Sequence, residues 1–434
     1  MNYMNYWNIQ LHPNDLRWNK EKELLEKHSV IGLGDWEEAA KQQPGFEKTM
    51  QIGDIVLVKH GASIIALVEV TGDYEYSNQT DNLLWFERRR KVKVLDWYNE
   101  KYGYCVSPRK TLERCAKPNT NTFISIKQWI QRINNNKNME TYINLLIANY
   151  NLILTGAPGT GKTFLAKEIV NYIDAENERI GFVQFHPSYD YTDFIEGLRP
   201  IKENNTKEIG FQRKDGIFMA FCRKALKAYQ EAENKKDAPK YVFIIDEINR
   251  GELSKIFGEL FFSLDPGYRG RKGKVFTQYS NLWEEKDFFD NTLEGDERKM
   301  FYVPENVYII GTMNDIDRSV ESMDFAFRRR FAFKEIMASE NTRMLDELND
   351  EDLKNAAIQK MNELNAVIEK CPGMSSAYHI GASYFLKLNN YEGGKEEKFK
   401  KLWDNHICVL LQEYLRGLPN SEEQMKKMVE AYNK

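Results

Sequence analysis

Eight consecutive residues, Gly156-Ala157-Pro158-Gly159-Thr160-Gly161-Lys162-Thr163, follow the apolar run 152–155 and precede the helical run 164–173. This is GxxxxGK[ST] in the strand–loop–helix setting that a phosphate-binding loop requires. The glycines let backbone N–H groups turn inward around phosphates, the helix N-terminus adds positive potential, and Lys162 reaches the β/γ-phosphates. Thr163 is the expected Mg²⁺ ligand. A second apolar run, 241–245 (YVFII), ends in Asp246 and Glu247. Adjacent acids at the end of a buried strand need metal or water to serve: Asp246 would hold the Mg²⁺ water shell, and Glu247 would polarise the attacking water as general base. The run 307–311 leads into Thr312-Met313-Asn314-Asp315-Ile316-Asp317-Arg318-Ser319, where Asn314, just past an adjacent strand, can orient water against the γ-phosphate. Farther on, Arg328, Arg329 and Arg330 stand together, more than one salt bridge requires. Either they form a solvated charge run, or at least one reaches a neighbouring subunit's nucleotide.

The elements that must position these groups follow from the apolar pattern. The runs 152–155, 181–185, 241–245 and 307–311 are short and continuous, as suits parallel strands covered on both faces, and helical stretches alternate with them. Residues 267–303, rich in Gly, Lys, Glu, Asp and aromatics, read as an inserted hairpin plus loop. From about residue 334 helical spacing dominates. Before residue 116 the runs 54–59, 64–70 and 91–95 are of β type, separated by turn residues. The expected organisation is a β-rich domain over 1–116, a connector with one helix over 117–138, an α/β nucleotide-binding subdomain over 139–333 and a helical lid over 334–434.

Composition narrows the classes. At 434 residues with 42% apolar content, the chain can fill more than one core. Its 61 Lys+Arg against 65 Asp+Glu give a net charge of −4, so any basic surface must be local. No window approaches the roughly 18 apolar residues of a membrane span, and the N-terminus lacks a signal-peptide pattern; a cytoplasmic protein is expected. The five cysteines and six histidines lack zinc-ligand spacing and argue against a disulfide framework.

With these motifs in hand, the chain from about residue 139 onward resembles the McrB family, AAA+ GTPase subunits of modification-dependent restriction systems. The resemblance rests on MNDIDRS at 313–319, on DFAFRRRF at 324–331, on DEINRGELSKIFGELFFSL at 246–264 and on QFHPSYDYTDFIEGLRP at 184–200. It implies catalytic roles for Asn314 and Asp317, a signature role for Arg318 and an arginine finger among Arg328, Arg329 and Arg330. It further implies GTP (ATP is the alternative) with Mg²⁺, a homo-oligomeric ring, hexameric by family likeness, and a McrC-like nuclease partner. No strand-borne PD…(D/E)xK cluster is present, which fits a motor without its own nuclease.

Tyr6-Trp7, Gly34-Asp35-Trp36, MQIGDIV at 50–56 and RRRKVKV at 88–94 resemble EVE domains of the PUA-like superfamily, which implies DNA with a modified base as ligand. Residues 88–114 carry nine basic and three acidic residues, enough local excess to track phosphates, so Trp36, Arg88, Arg89 and Arg90 are the DNA-binding candidates. Two functions of other classes compete: a MoxR-like AAA+ ATPase remodelling a protein partner, and a nucleotide-gated scaffold that would leave Glu247 without a role.

Overall fold

The computed structural model describes residues 5–11, 17–34, 41–106, 111–117, 120–174, 178–202, 209–316 and 325–434. The chain divides into two compact units, residues 1–140 and 141–434.

In the first unit, strands β1 (Tyr6–Gln10), β2 (Val30–Leu33), β3 (Ile55–His60), β4 (Ser63–Tyr76), β5 (Arg88–Trp97) and β6 (Leu112–Arg114) form one sheet in the order β2-β5-β4-β3-β1-β6. The β1–β3 pairing is parallel and the others are antiparallel. Strand alternation sends Val56 and Val58 to one face, where they join a core with Trp7, Ile9 and the α1 (Glu21–His28) residues Leu24 and Leu25. It sends Ile55 and Leu57 to the other face, where Ile126, Trp129 and Ile133 of α2 (Asn121–Asn149) cover them. The segment 117–138, expected as a connector, thus holds its one helix, but that helix closes the first unit's second core. The amphipathic pattern of 124–133 marks the buried Ile-Trp-Ile stripe in the sequence, but not that the stripe covers the sheet of the first unit.

The second unit opens with a five-stranded parallel sheet of β7 (Asn151–Gly156), β8 (Ile180–Gln184), β11 (Tyr241–Asp246), β14 (Val307–Asn314) and β15 (Ala332–Glu335), in the order β15-β7-β14-β11-β8. Helices α3 (Lys162–Ile173) and α5 (Ile217–Glu231) belong to this α/β layer, and Phe194, Phe218, Phe243 and Phe257 pack edge-on and stacked in its core. The chain leaves β7 for the far edge and returns through β11 and β14 to β7's side, so the carboxyl ends of β7 and β14 bound the crevice where α/β sheets bind ligands.

Three regions departed from expectation. The edge strand β15 alternates half-buried and exposed residues rather than forming an apolar run. Antiparallel β9 (Glu196–Lys202) and β10 (Ile209–Asp215) form a ribbon, with α4 (Tyr191–Phe194) just before it. The insert 267–303 is mostly 3-10 turns, anchored where Trp283 Nε1 donates to the buried Glu196 carboxylate at 2.8 Å; only β12 (Val275–Phe276) and β13 (Met300–Phe301) pair in it. Short helices α6 (Leu253–Phe257) and α7 (Phe325–Arg328) complete this layer. Helices α8 (Glu351–Ile368), α9 (Ala382–Leu386), α10 (Lys395–Leu402), α11 (Cys408–Leu415) and α12 (Ser421–Asn433) build a lid around Leu364, Phe385, Leu402, Leu411 and Met428. Among the described residues no helix is long and apolar enough to cross a membrane.

Candidate nucleotide-binding site

The loop between β7 and α3 owes its shape to its glycines. Gly156, Gly159 and Gly161 have φ of +143°, +77° and +81°, values that other L-residues rarely adopt. A Cβ on Gly156 would also fall 2.5 Å from the carbonyl oxygen of Ile336. Gly161 is the N-cap of α3, so the first turn's unsatisfied N–H groups face the loop's concavity. Lys162 is buried, and its ammonium donates to the carbonyls of Gly156 at 3.0 Å and Ala157 at 2.8 Å, which holds the cation over the cradle. This donor set, backbone amides plus one ammonium, fits a polyphosphate.

Beside the loop, two hydroxyls converge on one carboxylate oxygen. Thr163 Oγ1 and Thr312 Oγ1 each donate to Asp246 Oδ1 at 2.6 Å. Thr312 Oγ1 also accepts from the Glu247 amide at 3.1 Å, tying the end of β11 to β14. A hydroxyl and a carboxylate in contact form the oxygen donor set that suits a magnesium ion keeping most of its waters. Glu247 itself is at φ +53°, an unusual conformation for a side-chain-bearing residue. Its carboxylate is gripped by Asn314 Nδ2, which donates to Oε1 at 2.9 Å and Oε2 at 3.1 Å, and by Arg250 Nε at 3.1 Å. Asp315 lies next to Asn314; its side chain is exposed, yet desolvation by the surrounding protein raises its carboxyl from the ordinary value, while Lys162 opposes that shift.

The geometry sorts the arginine run. Arg328 and Arg329 are exposed and line a hollow of about 590 Å³ with Thr155, Met313, Asp315, Phe325 and Phe333. Arg330 is buried, stacked 4.2 Å over the Phe261 ring, with Nη1 donating to the Ala326 carbonyl. It is therefore a packing residue and is removed from the candidates for reaching another subunit. Asp317 and Arg318 lie outside the described residues.

The first unit requires a similar correction. Arg89 and Arg90 are buried and their guanidinium groups serve backbone carbonyls: Arg89 Nε donates to Phe86 at 2.9 Å, while Arg90 Nε donates to Phe46 at 2.8 Å, Nη2 to Glu47 at 2.9 Å and Nη1 to Gly72 at 3.3 Å. Arg88 Nε donates to the Glu47 carboxylate at 3.2 Å, and its guanidinium lies 5.6 Å from the Tyr76 ring centre. Neither Arg89 nor Arg90 can track phosphates; the exposed cations of β5 are Lys91 and Lys93. Trp36 lies outside the described residues.

Sequence reading assigned no role to Thr312, Asp315 or Arg250, although Thr312 and Asp315 flank Asn314 and Arg250 lies three positions past Glu247, a signal that could have found them. It also missed Asn341, and it matched the lid segment 379–385, which holds Gly381 and Ser383, only loosely to a GHSYF-like family stretch without assigning its contacts with the loop.

Residues 151–331 match the AAA domain of the dynein-related subfamily, residues 356–422 match the McrB α-helical lid domain, and residues 12–108 match a domain of unknown function. The second unit is thus a AAA-class P-loop NTPase. Within that class it is McrB-like. The chain is 38% identical over 294 residues to the Type IV methyl-directed restriction enzyme EcoKMcrB subunit of Escherichia coli, an alignment covering 66% of this chain and 58% of that protein. It is 30% identical over 207 residues to the Type II restriction enzyme BsuMI component YdiS of Bacillus subtilis, covering 42% of this chain and 56% of the relative. The chain therefore spans less than two thirds of the length of either relative. The lid match favours the restriction reading over remodelling of a protein partner.

Proposed function

We propose that this chain is the nucleotide-hydrolysing, DNA-recognising subunit of a McrBC-like restriction system, working as a homo-oligomeric ring with a separate nuclease subunit. The observation that carries the hydrolytic part is the Asn314–Glu247 grip beside the Thr163–Asp246 pair. It sets a carboxylate base next to a metal-type donor pair at the mouth of a phosphate cradle. In this reading Gly156, Ala157, Pro158, Gly159, Thr160, Gly161 and Lys162 hold the phosphates, and Thr163 and Asp246 hold Mg²⁺, which supplies charge neutralisation. Glu247 takes the proton of the attacking water, Asn314 aims Glu247, and Asp317 and Arg318 keep the roles implied by family resemblance. GTP is preferred over ATP on the same resemblance. The first unit binds modified DNA, with Lys91 and Lys93 in place of Arg89 and Arg90 as the phosphate-facing cations.

One experiment tests the whole reading: nucleotide binding and hydrolysis by the full chain with GTP and with ATP, with and without plain or methylated duplex. Lys162→Ala should lose tight binding, whereas Glu247→Gln should bind and turn over about 10²–10⁴-fold more slowly, the usual worth of a general base. Equal loss of binding in both variants would overturn the role assignment. Indifference of hydrolysis and binding to every duplex would remove the DNA role.

A further inference from the structure

Three consecutive carbonyls of the phosphate loop are engaged by the lid side of the second unit. The Ser383 amide donates to Gly159 O at 3.0 Å, and Asn341 Nδ2 donates to Thr160 O at 3.2 Å and Gly161 O at 3.1 Å. Asn341 is buried, on the segment that leads from β15 into the lid. Gly381 meets the loop so closely that a Cβ there would fall 2.1 Å from Gly159 C and 2.3 Å from Thr160 N. Its own backbone, φ −83° and ψ 164°, is ordinary extended geometry, so glycine is required there by the contact and not by conformation.

A trans peptide is planar, so a carbonyl and the next residue's N–H point in opposite directions. Anchoring the carbonyls of Gly159, Thr160 and Gly161 toward the lid therefore turns the following N–H groups the other way: that of Thr160 donates at 3.4 Å to the Ala157 carbonyl within the loop, and those of Gly161 and Lys162 are the ones presented to phosphate. We propose that Asn341, Gly381 and Ser383 form a latch that presets the phosphate-facing amides through the loop carbonyls. The inference rests on reading the loop as a phosphate cradle. Asn341 and Gly381 are positioning residues: they act through the loop backbone and touch no reacting atom.

The test measures equilibrium binding of GTP and ATP, the split between KM and kcat, and hydrogen exchange of the loop amides in the full-length protein, with Lys162→Ala as reference. Asn341→Ala removes two hydrogen bonds and should weaken binding about tenfold, raising KM while kcat at saturation stays within about twofold. Asn341→Asp, which sets a carboxylate against two carbonyls, should weaken it further. Gly381→Ala, free of backbone strain, should act in the same direction because its Cβ forces the lid and loop apart, and both classes should speed amide exchange over residues 159–163. Should Asn341→Ala fail to fold, Gly381→Ala carries the test. If the parent binds nucleotide and Lys162→Ala does not, yet Asn341→Ala and Gly381→Ala bind like the parent, the latch is wrong. If the parent binds no nucleotide, the cradle reading fails, and the latch falls with it.

Discussion

Glu247 pays for its position: a non-glycine residue at φ +53° stores about 1–3 kcal/mol, which neighbouring contacts must offset. Two donors hold its carboxylate, and they differ in setting. Asn314 grips both oxygens from the end of β14, half-buried, whereas Arg250 is 46% exposed and its attraction is screened by solvent. Asn314→Ala should therefore cut turnover more than tenfold with little change in affinity, since aiming the base matters mainly in the transition state, and Arg250→Ala should cut it less than tenfold. Steady-state hydrolysis of the two variants decides this; a larger effect at Arg250 would mean that the arginine, not the amide, orients the base. The phosphate loop and the acidic pair were legible in the sequence because each motif lies within one strand–loop step. The arginines at 89, 90 and 330 were misread because a run of like residues says nothing of facing: alternation along β5 splits Arg88 and Arg90 from Arg89, and the turn after α7 folds Arg330 inward onto Phe261.

At the scale of elements, continuous apolar runs revealed four of the five parallel strands, because strands buried on both faces need apolar side chains at every position. The fifth, β15, lies at the sheet edge and alternates, so its pattern resembled a loop. The contact of Asn341 with the phosphate loop could not be read: Asn341 and Thr160 are 181 positions apart, and nothing local marks the pair. Helix α2 is a different case: the pattern of 124–133 is amphipathic, but the polar residues around it suggested a connector, whereas Trp129 is fully buried and donates from Nε1 to Asp96 at 2.8 Å. Trp129→Ala should destabilise the first unit by about 3–5 kcal/mol, the range for emptying a large aromatic site. A residue in a solvated connector would cost within about 0.5 kcal/mol. Denaturant titration of the full chain, followed by a probe in residues 1–140, distinguishes the two.

The whole molecule poses the question of what completes the site. Arg328 and Arg329 are exposed, share a hollow with Asp315 and Thr155, and are charged side chains with aromatic neighbours: Arg328 lies 5.5 Å from the Phe333 ring centre, and Phe325 is 86% exposed. A guanidinium so placed can stabilise transition-state charge on a nucleotide held by a second copy of this chain, an effect worth about 10³–10⁵ in turnover where an arginine acts in trans. Specific activity should accordingly rise with chain concentration and fall away on dilution below the assembly threshold. Of the single variants Arg328→Ala and Arg329→Ala, one should bind nucleotide and fold like the parent yet lose hydrolysis, whereas Arg330→Ala should lower stability instead, because it strips a buried cation from Phe261. Mixing the inactive finger variant with Lys162→Ala rebuilds some interfaces in which an intact nucleotide site meets an intact arginine. Activity should return in those mixtures. Verified mixed assemblies that stay silent would place the arginine's action within its own chain and remove the reason for a ring.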